Sequence, residues 1–504
     1  MDGATFAVSG GPCYSYDPSS RTWQTFDGFV MSGGRIASLR VDDAGAGIPR
    51  IDLGGRAAYP AFADCHVHLT DTGLFLGARD LSAVRTAAAY ADALAALPRT
   101  EFVLASNYDE STWADGGTAG AAPLERAHPD AIAMVVRIDG HSCVINRRTL
   151  AWLDFAPQTE GVERDADGTP TGRLFLEANW RAQAAVLDAL PVAERRAADR
   201  RATELALRAG ALHLHVQLVG LPSGKAYAEE IAALATAGSA KWYPKVCETD
   251  PQLAKDLGLP FIGGDVFLDG SLGSGTAALN EPYRDRAGRG TLMRADEEVE
   301  AYFAAAEQLG VSAGVHAIGD RAIEQCLRAW ETVLGGRPSP HNRHFIQHFE
   351  IASPDQIARC VRLGIFLSMQ PQFDAAWGQP GGMYETRLGS ERSRGMNALG
   401  SAKRAGAVLV GGDDSPVCPL APLAGMRAAA AHHVADERLA VADALLMYTY
   451  DAARFGHAEH TTGRLAPGFA ADIVLLDGDP LGAGSFDGVA VAATWRDGLD
   501  VTQT

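Results

Sequence analysis

The chain has 504 residues, 47% hydrophobic and 21% charged, the balance of a globular protein with room for one large α/β unit and a smaller companion. Its formal charge of −18 excludes nucleic acid and an anionic membrane surface as main partners, and no run of about 18 apolar residues is present to form a membrane span. Seven scattered cysteines without a Cys-x-x-Cys pair, and a start that lacks a basic segment followed by an apolar one, lead us to expect reduced thiols in a cytoplasmic protein.

The first stretch, FDGFVMSGGRIASLRVDD, reads as short strands broken by a Gly-Gly turn. The last, TGRLAPGFAADIVLLDGDP, has the same character. Neither end carries the apolar mass for its own core, so residues 1–58 and 462–504 are expected to join in one small β-sandwich domain. Between them, residues 59–461 alternate strand-like runs with Ala/Leu-rich helical stretches, the order of a parallel α/β unit. The runs AFADCHVHL, LHLHVQLVG, WYPKVCE, DVFLDG, SAGVHAIGD, RHFIQHFE, IFLSMQP and VLVGGDD supply eight strands, which predicts a (β/α)₈ barrel of the TIM type. Residues from about 70 to 205 exceed one strand-to-strand connection. They contain AIAMVVRIDGHSCVIN and DGTPTGRLFLEAN, so they predict an insertion after barrel strand 1 that has its own strands and closes over the mouth.

Polar residues gather at the strand ends, where a barrel of this kind places its active site. In the first run His66 and His68 are two residues apart, so on a strand both imidazoles stand on one face and could share a metal ion. Cys65, beside the pair, points the other way by alternation and reads as a small core residue. His316 ends its run, His348 ends the next, and Asp413 and Asp414 follow AVLVGG. Each taken alone reads equally as a satisfied core residue. Converging on one mouth, imidazoles and a carboxylate form the donor set of a hydrolytic Zn²⁺-type site.

Within the insertion, Arg137 and His141 in VRIDGHS, Glu177 in RLFLEAN and Trp113 in NYDESTW are candidate substrate contacts. The structural alternatives are an Arg137–Glu177 ion pair and a core role for Trp113. Asp320 is expected to fix its loop or pair with Arg321, and Lys245 to be structural. His432 and His433 read as helix surface, and the His213/His215 pair as core or substrate-facing.

Taken together, YPAFADCHVHL, DGH at 139–141, DGSLGSGTAAL, VHAIGDRAI, IQHFE, SMQP, GGDDSPV and GRLAPGFAADIVLLDGDP resemble the amidohydrolase superfamily over nearly the full length. The likeness is greatest to its YtcJ-like, amidohydrolase 3 branch, which includes N-substituted formamide deformylases. The resemblance implies a barrel with a flanking β-sandwich, a divalent metal and hydrolysis of an amide-like C–N bond. It implies His66, His68, His316 and His348 as metal residues, and Asp414 as the eighth-strand aspartate, two before Pro416, with Asp413 the alternative if the register slips by one. Members usually carry a lysine four residues before the aspartate of DGSLGS, where carboxylation lets it bridge two metals. Here Asp265 stands at that position. An aspartate can ligate without modification but is short for a bridge, which favours one ion, most simply Zn²⁺, over two. The expected chemistry has a metal-activated water attack the carbonyl, with Asp414 as general base and the metal or His348 polarising the carbonyl. The expected partner is a small-molecule substrate, and a homodimer is left open. The alternative chemistry on this scaffold is lactone hydrolysis, decarboxylation or isomerisation of a small carbonyl compound.

Overall fold

The computed structural model describes residues 5–77, 79–157, 159–219, 239–339 and 341–502. Eight strands run in chain order around a distorted barrel: β1 (Phe62–Val67), β2 (Ala211–Leu218), β3 in two pieces (Lys241–Trp242 and Lys245–Val246), β4 (Phe261–Phe267), β5 (Ser312–Ala317), β6 (Phe345–His348), β7 (Phe366–Met369) and β8 (Leu409–Gly411). They form two parallel arcs. β1 and both pieces of β3 flank β2, and β4 to β8 pair in sequence order. Strands buried on both faces need not alternate in polarity, and every residue of β2 is buried.

The interior of the barrel is filled by Cys65, Phe261, Phe345, Phe366, Val410 and Phe455. Phe345 occupies space taken from its neighbour: a Cβ on Gly314 would stand 2.2 Å from the Phe345 ring. Outside the strands the helices bury their apolar stripes. Pro354–Leu363 is a clear case, started by a Ser353/Gln356 capping box with Pro354 in the first turn and ended by Gly364 at φ 68.

The seam between β8 and β1 positions the site. Asp414 N donates to His66 O at 2.8 Å and His68 N donates to Ser415 O at 3.0 Å. This close approach requires Gly412, where a Cβ would lie 2.6 Å from His66 N.

Strands from both ends of the chain form one continuous eight-stranded sheet. In it Ile473–Leu476 pairs antiparallel with Ala57–Pro60. The strand Thr5–Asp17 shifts register between Ser9 and Cys13 and so serves two different neighbours. Between β1 and β2 the chain forms a separate six-stranded sheet, from Arg79–Asp80 through Phe102–Tyr108, Ile132–Arg137 and Ser142–Ile145 to Pro170–Phe175 and Val162–Arg164. Its residues line the cavity over the barrel mouth. Among the described residues no helix is long and apolar enough to cross a membrane. All seven cysteines are free thiols.

Candidate metal centre and substrate cavity

β1 delivers two imidazoles to one side, as strand alternation requires, with ring centroids 5.3 Å apart. β4 brings Asp265 up from below, and the β8–β1 seam brings Asp414 across. His66 Nε2 lies 3.3 Å from Asp265 Oδ2 and 3.1 Å from Asp414 Oδ1, and His68 Nε2 lies 3.1 and 3.2 Å from the same two oxygens. Two nitrogens and two oxygens at this spacing match the edges, roughly 3.3 Å, of a tetrahedron about an ion with bonds of about 2.0 Å. His66 Nε2, Asp414 Oδ1 and the second oxygen of Asp265 are nevertheless buried without a hydrogen-bond partner. Donor atoms that crowd together and do not bond to one another fit a divalent cation at their centre.

The electrostatics agree. Burial opposes charge on His66, yet Asp265 and Asp414 hold its imidazole up at about 10, and they raise His68 as well. Despite burial, the same contacts hold both carboxylates well below their usual range. The two buried carboxylates therefore favour the charged form of the imidazoles, and a bound cation would supply that charge in place of the protons.

His348 stands beside this set, with Nε2 3.8 Å from Asp265 Oδ1 and its ring 5.0 Å from that of His66. Its Nδ1 donates to Gln370 Oε1 at 3.0 Å, which leaves a lone pair on Nε2. That tautomer suits a ligand, whereas polarising a substrate carbonyl, the other role expected of His348, would need the proton on Nε2. His348 and Asp414 have left-handed backbones, φ 71 and 54, an unfavourable conformation for non-glycine residues that the surrounding structure imposes.

His316 is one ring further out, 4.4 Å from His348, and belongs to neither donor group, His66–His348–Asp414 or His66–His68–Asp265, among the described residues. Its Nδ1 is 3.4 Å from Asp269 Oδ1 without hydrogen-bond alignment. Asp413 turns away, accepting from Gln372 Nε2 at 2.9 Å and Ala421 N at 2.6 Å. Lys245 is fully buried among the Phe261, Phe345 and Phe455 rings, its amine donating to Cys65 O at 3.2 Å, and burial lowers it to about 7.

The substrate contacts expected in the insertion divide. His141 lines the cavity, its ring 5.6 Å from His316 and 4.9 Å from Trp180. Arg137 also reaches the wall, but its guanidinium is spent on Asp109, Glu110 and Asp139 at 2.8, 3.1 and 2.9 Å, and not on Glu177. Glu177 is a correction: it is exposed and faces Arg181 at 3.7 Å, one helical turn along. Trp113 is another, buried against Tyr90 in the insertion's own core. The surface reading of His432 and His433 also fails, since both are held inward by Asp374. His213 bonds Tyr243 and Thr462, and His215 stacks between Tyr243 and Phe455, so both are core. Asp320 does fix its loop, accepting from Asn280 and not pairing with Arg321.

Several residues were missed. Trp180 and Phe267 stack at 4.4 Å to form an aromatic wall of the lobe that holds His68, Asp265 and His316. Asp139 accepts from Ser271 and Ser274, tying the insertion to the loop after β4. Glu350, two residues past His348, opens onto a second lobe of about 510 Å³ that also reaches His348 and Asp414. Burial pushes its carboxyl up to about 8. Only Glu350 and Asp139 carried a signal, as ionisable residues inside quoted motifs.

A model of the amidohydrolase family matches residues 50–501. The chain belongs to the amidohydrolase family. Among amidohydrolase relatives it is similar to YtcJ of Bacillus subtilis (strain 168), 28% identical over 90% of each chain. It is also similar to an N-substituted formamide deformylase of Arthrobacter pascens, 23% identical over 93% of this chain and 94% of the other. The crystal structure of an uncharacterized metal-dependent hydrolase from Pyrococcus horikoshii OT3 matches with a TM-score of 0.76 and 26% identity, over 95% of this chain and 98% of that one. With the His/Asp cluster at the barrel mouth, this amidohydrolase is a metal-dependent enzyme that hydrolyses an amide-type C–N bond.

Proposed function

We propose that this amidohydrolase removes the acyl group from a small N-acyl or N-formyl compound, using one Zn²⁺ held by His66, His68, Asp265 and Asp414. The observation that carries the reading is the four-donor cluster with unpartnered buried atoms, open to a cavity large enough for a small-molecule substrate. The resemblance to an N-substituted formamide deformylase supports the substrate class. A divalent ion there supplies a Lewis acid that lowers the pKa of a water and polarises a carbonyl. Asp414 faces the cavity, accepts the proton of the attacking water and returns it to the leaving nitrogen. Asp265 and the paired imidazoles hold the donor set in place, and Gln370 keeps His348 in its lone-pair tautomer. The aromatic wall of Trp180 and Phe267 excludes solvent on the side of the ligands.

The test is metal content by elemental analysis, together with turnover of a panel of N-acyl and N-formyl amines before and after chelation. One ion per chain, loss of activity on stripping and recovery with Zn²⁺ are expected. Activity that survives exhaustive chelation, or turnover confined to a lactone or keto acid, overturns the reading.

A further inference from the structure

We infer that Glu350 is a specificity-determining residue that reads a hydrogen-bonding hydroxyl or amine on the leaving-group side of the substrate, a part that is otherwise flat and apolar. This inference rests on the C–N hydrolase reading above. The two lobes of the cavity differ in size and in which of the donor residues line them. His68, Asp265 and His316 line the smaller lobe and not the 510 Å³ one, while His348 and Asp414 line both. Asp414 can reach a departing nitrogen from either lobe, so size places the substrate: the small acyl group fits the lobe of about 70 Å³ and the amine side extends into the one of about 510 Å³.

The large lobe has an aromatic wall. Phe373 and Trp377 lie 5.0 Å apart, and Tyr384 stands 6.5 Å beyond Trp377. Its charged groups are nearly all spent on protein partners. Arg137 is held by three carboxylates, two of which, Asp109 and Asp139, are themselves wall residues. Arg387 is taken by Asp285 and by the carbonyls of Leu272 and Gly273. Leaving aside His141 and the metal-centre residues His348 and Asp414, Glu350 is the remaining acidic or basic side chain of this wall, and among the described residues it has no cation partner. Only 4% of it is exposed, and one oxygen accepts from Tyr384 Oη at 3.0 Å, with Asn397 Nδ2 bonding that hydroxyl from behind at 3.2 Å. The relay holds the carboxyl rigidly and leaves its other oxygen for the cavity. A buried polar atom aimed at a binding lobe discriminates sharply, because a ligand without a matching group leaves it unsatisfied.

The experiment uses metal-loaded enzyme and pairs of N-acetyl arylalkylamines, each pair differing by one ring hydroxyl or amine. The wild type is expected to prefer the polar member by about tenfold or more in kcat/KM, mostly through KM. Glu350→Gln should shrink that ratio and Glu350→Met should bring it to about one, with metal content and thermal unfolding checked in each. Tyr384→Phe, which removes the relay and keeps the carboxyl, should weaken the ratio partway and stands in if the Glu350 variants do not fold. A wild type indifferent to the polar group, or a ratio unchanged in the variants, overturns the inference while leaving the hydrolase reading intact. A metal-loaded wild type that turns over no N-acyl compound removes both.

Discussion

Asp265 is a short anion at the position where the family resemblance leads us to expect a lysine, and the site accommodates it through the β1 imidazoles. Both Nε2 atoms come within 3.3 Å of the same Asp265 oxygen, so no longer side chain is needed to reach them. Asp414 shares those contacts and, in the proposed mechanism, adds proton transfer. Asp414→Asn preserves the shape of the residue but removes the proton acceptor. It should retain the fold and most of the metal while kcat falls by roughly 10²- to 10⁴-fold, read by circular dichroism, elemental analysis and steady-state kinetics. Near-normal turnover would take Asp414 out of the mechanism. The histidine pair was legible because strand periodicity alone dictates which neighbours share a face. Glu177 and Trp113 were misread because nothing local indicates whether a side chain on an inserted element faces the cavity, its own core or solvent.

At the scale of elements, the insertion sheet is fastened to the barrel through Arg137. This side chain is 9% exposed and pairs with three carboxylates, one of which, Asp139, accepts from Ser271 and Ser274 in the loop after β4. Arg137→Met would leave buried acids without their counter-charge, a change that costs about 3–5 kcal/mol when a buried ion pair is broken. The expected outcome is lower stability to denaturant and faster hydrogen exchange across Ile132–Arg137, with metal content retained. An insertion as stable as in the wild type would show that the clamp contributes nothing. The presence of the insertion could be read from chain length and strand-like runs. Its attachment could not, since Arg137 and Ser274 are 137 positions apart in sequence.

For the whole molecule, the metal centre links stability to pH. In the metal-stripped protein the folded state holds His66 at about 10 against an ordinary 6.5. A raised folded pKa contributes stability that is complete below the unfolded value and disappears as pH climbs through the folded one. Stripped protein should therefore lose thermal stability from this group between pH 6.5 and 10, a trend absent from the Zn²⁺-loaded form, where the ion has replaced the proton. Differential scanning calorimetry at several pH values compares the two forms. Parallel profiles would mean that His66 holds no proton that a metal displaces.

The sequence by itself determined that strands and helices alternate, that both ends are β-rich, that a long segment interrupts the first repeat, and which strand ends carry imidazoles and carboxylates. These follow from local periodicity and turn chemistry, which act over a few residues. The tertiary structure decided which donors meet. Asp414 reaches His66 because the β8–β1 seam closes over Gly412, and His348 is aimed by a left-handed turn that its own sequence does not favour. It likewise turned Asp413 away, set His316 one ring apart, engaged Arg137 completely and left Glu350 open to the cavity. Side-chain direction and partner choice depend on packing between segments hundreds of residues apart, and no local pattern encodes that.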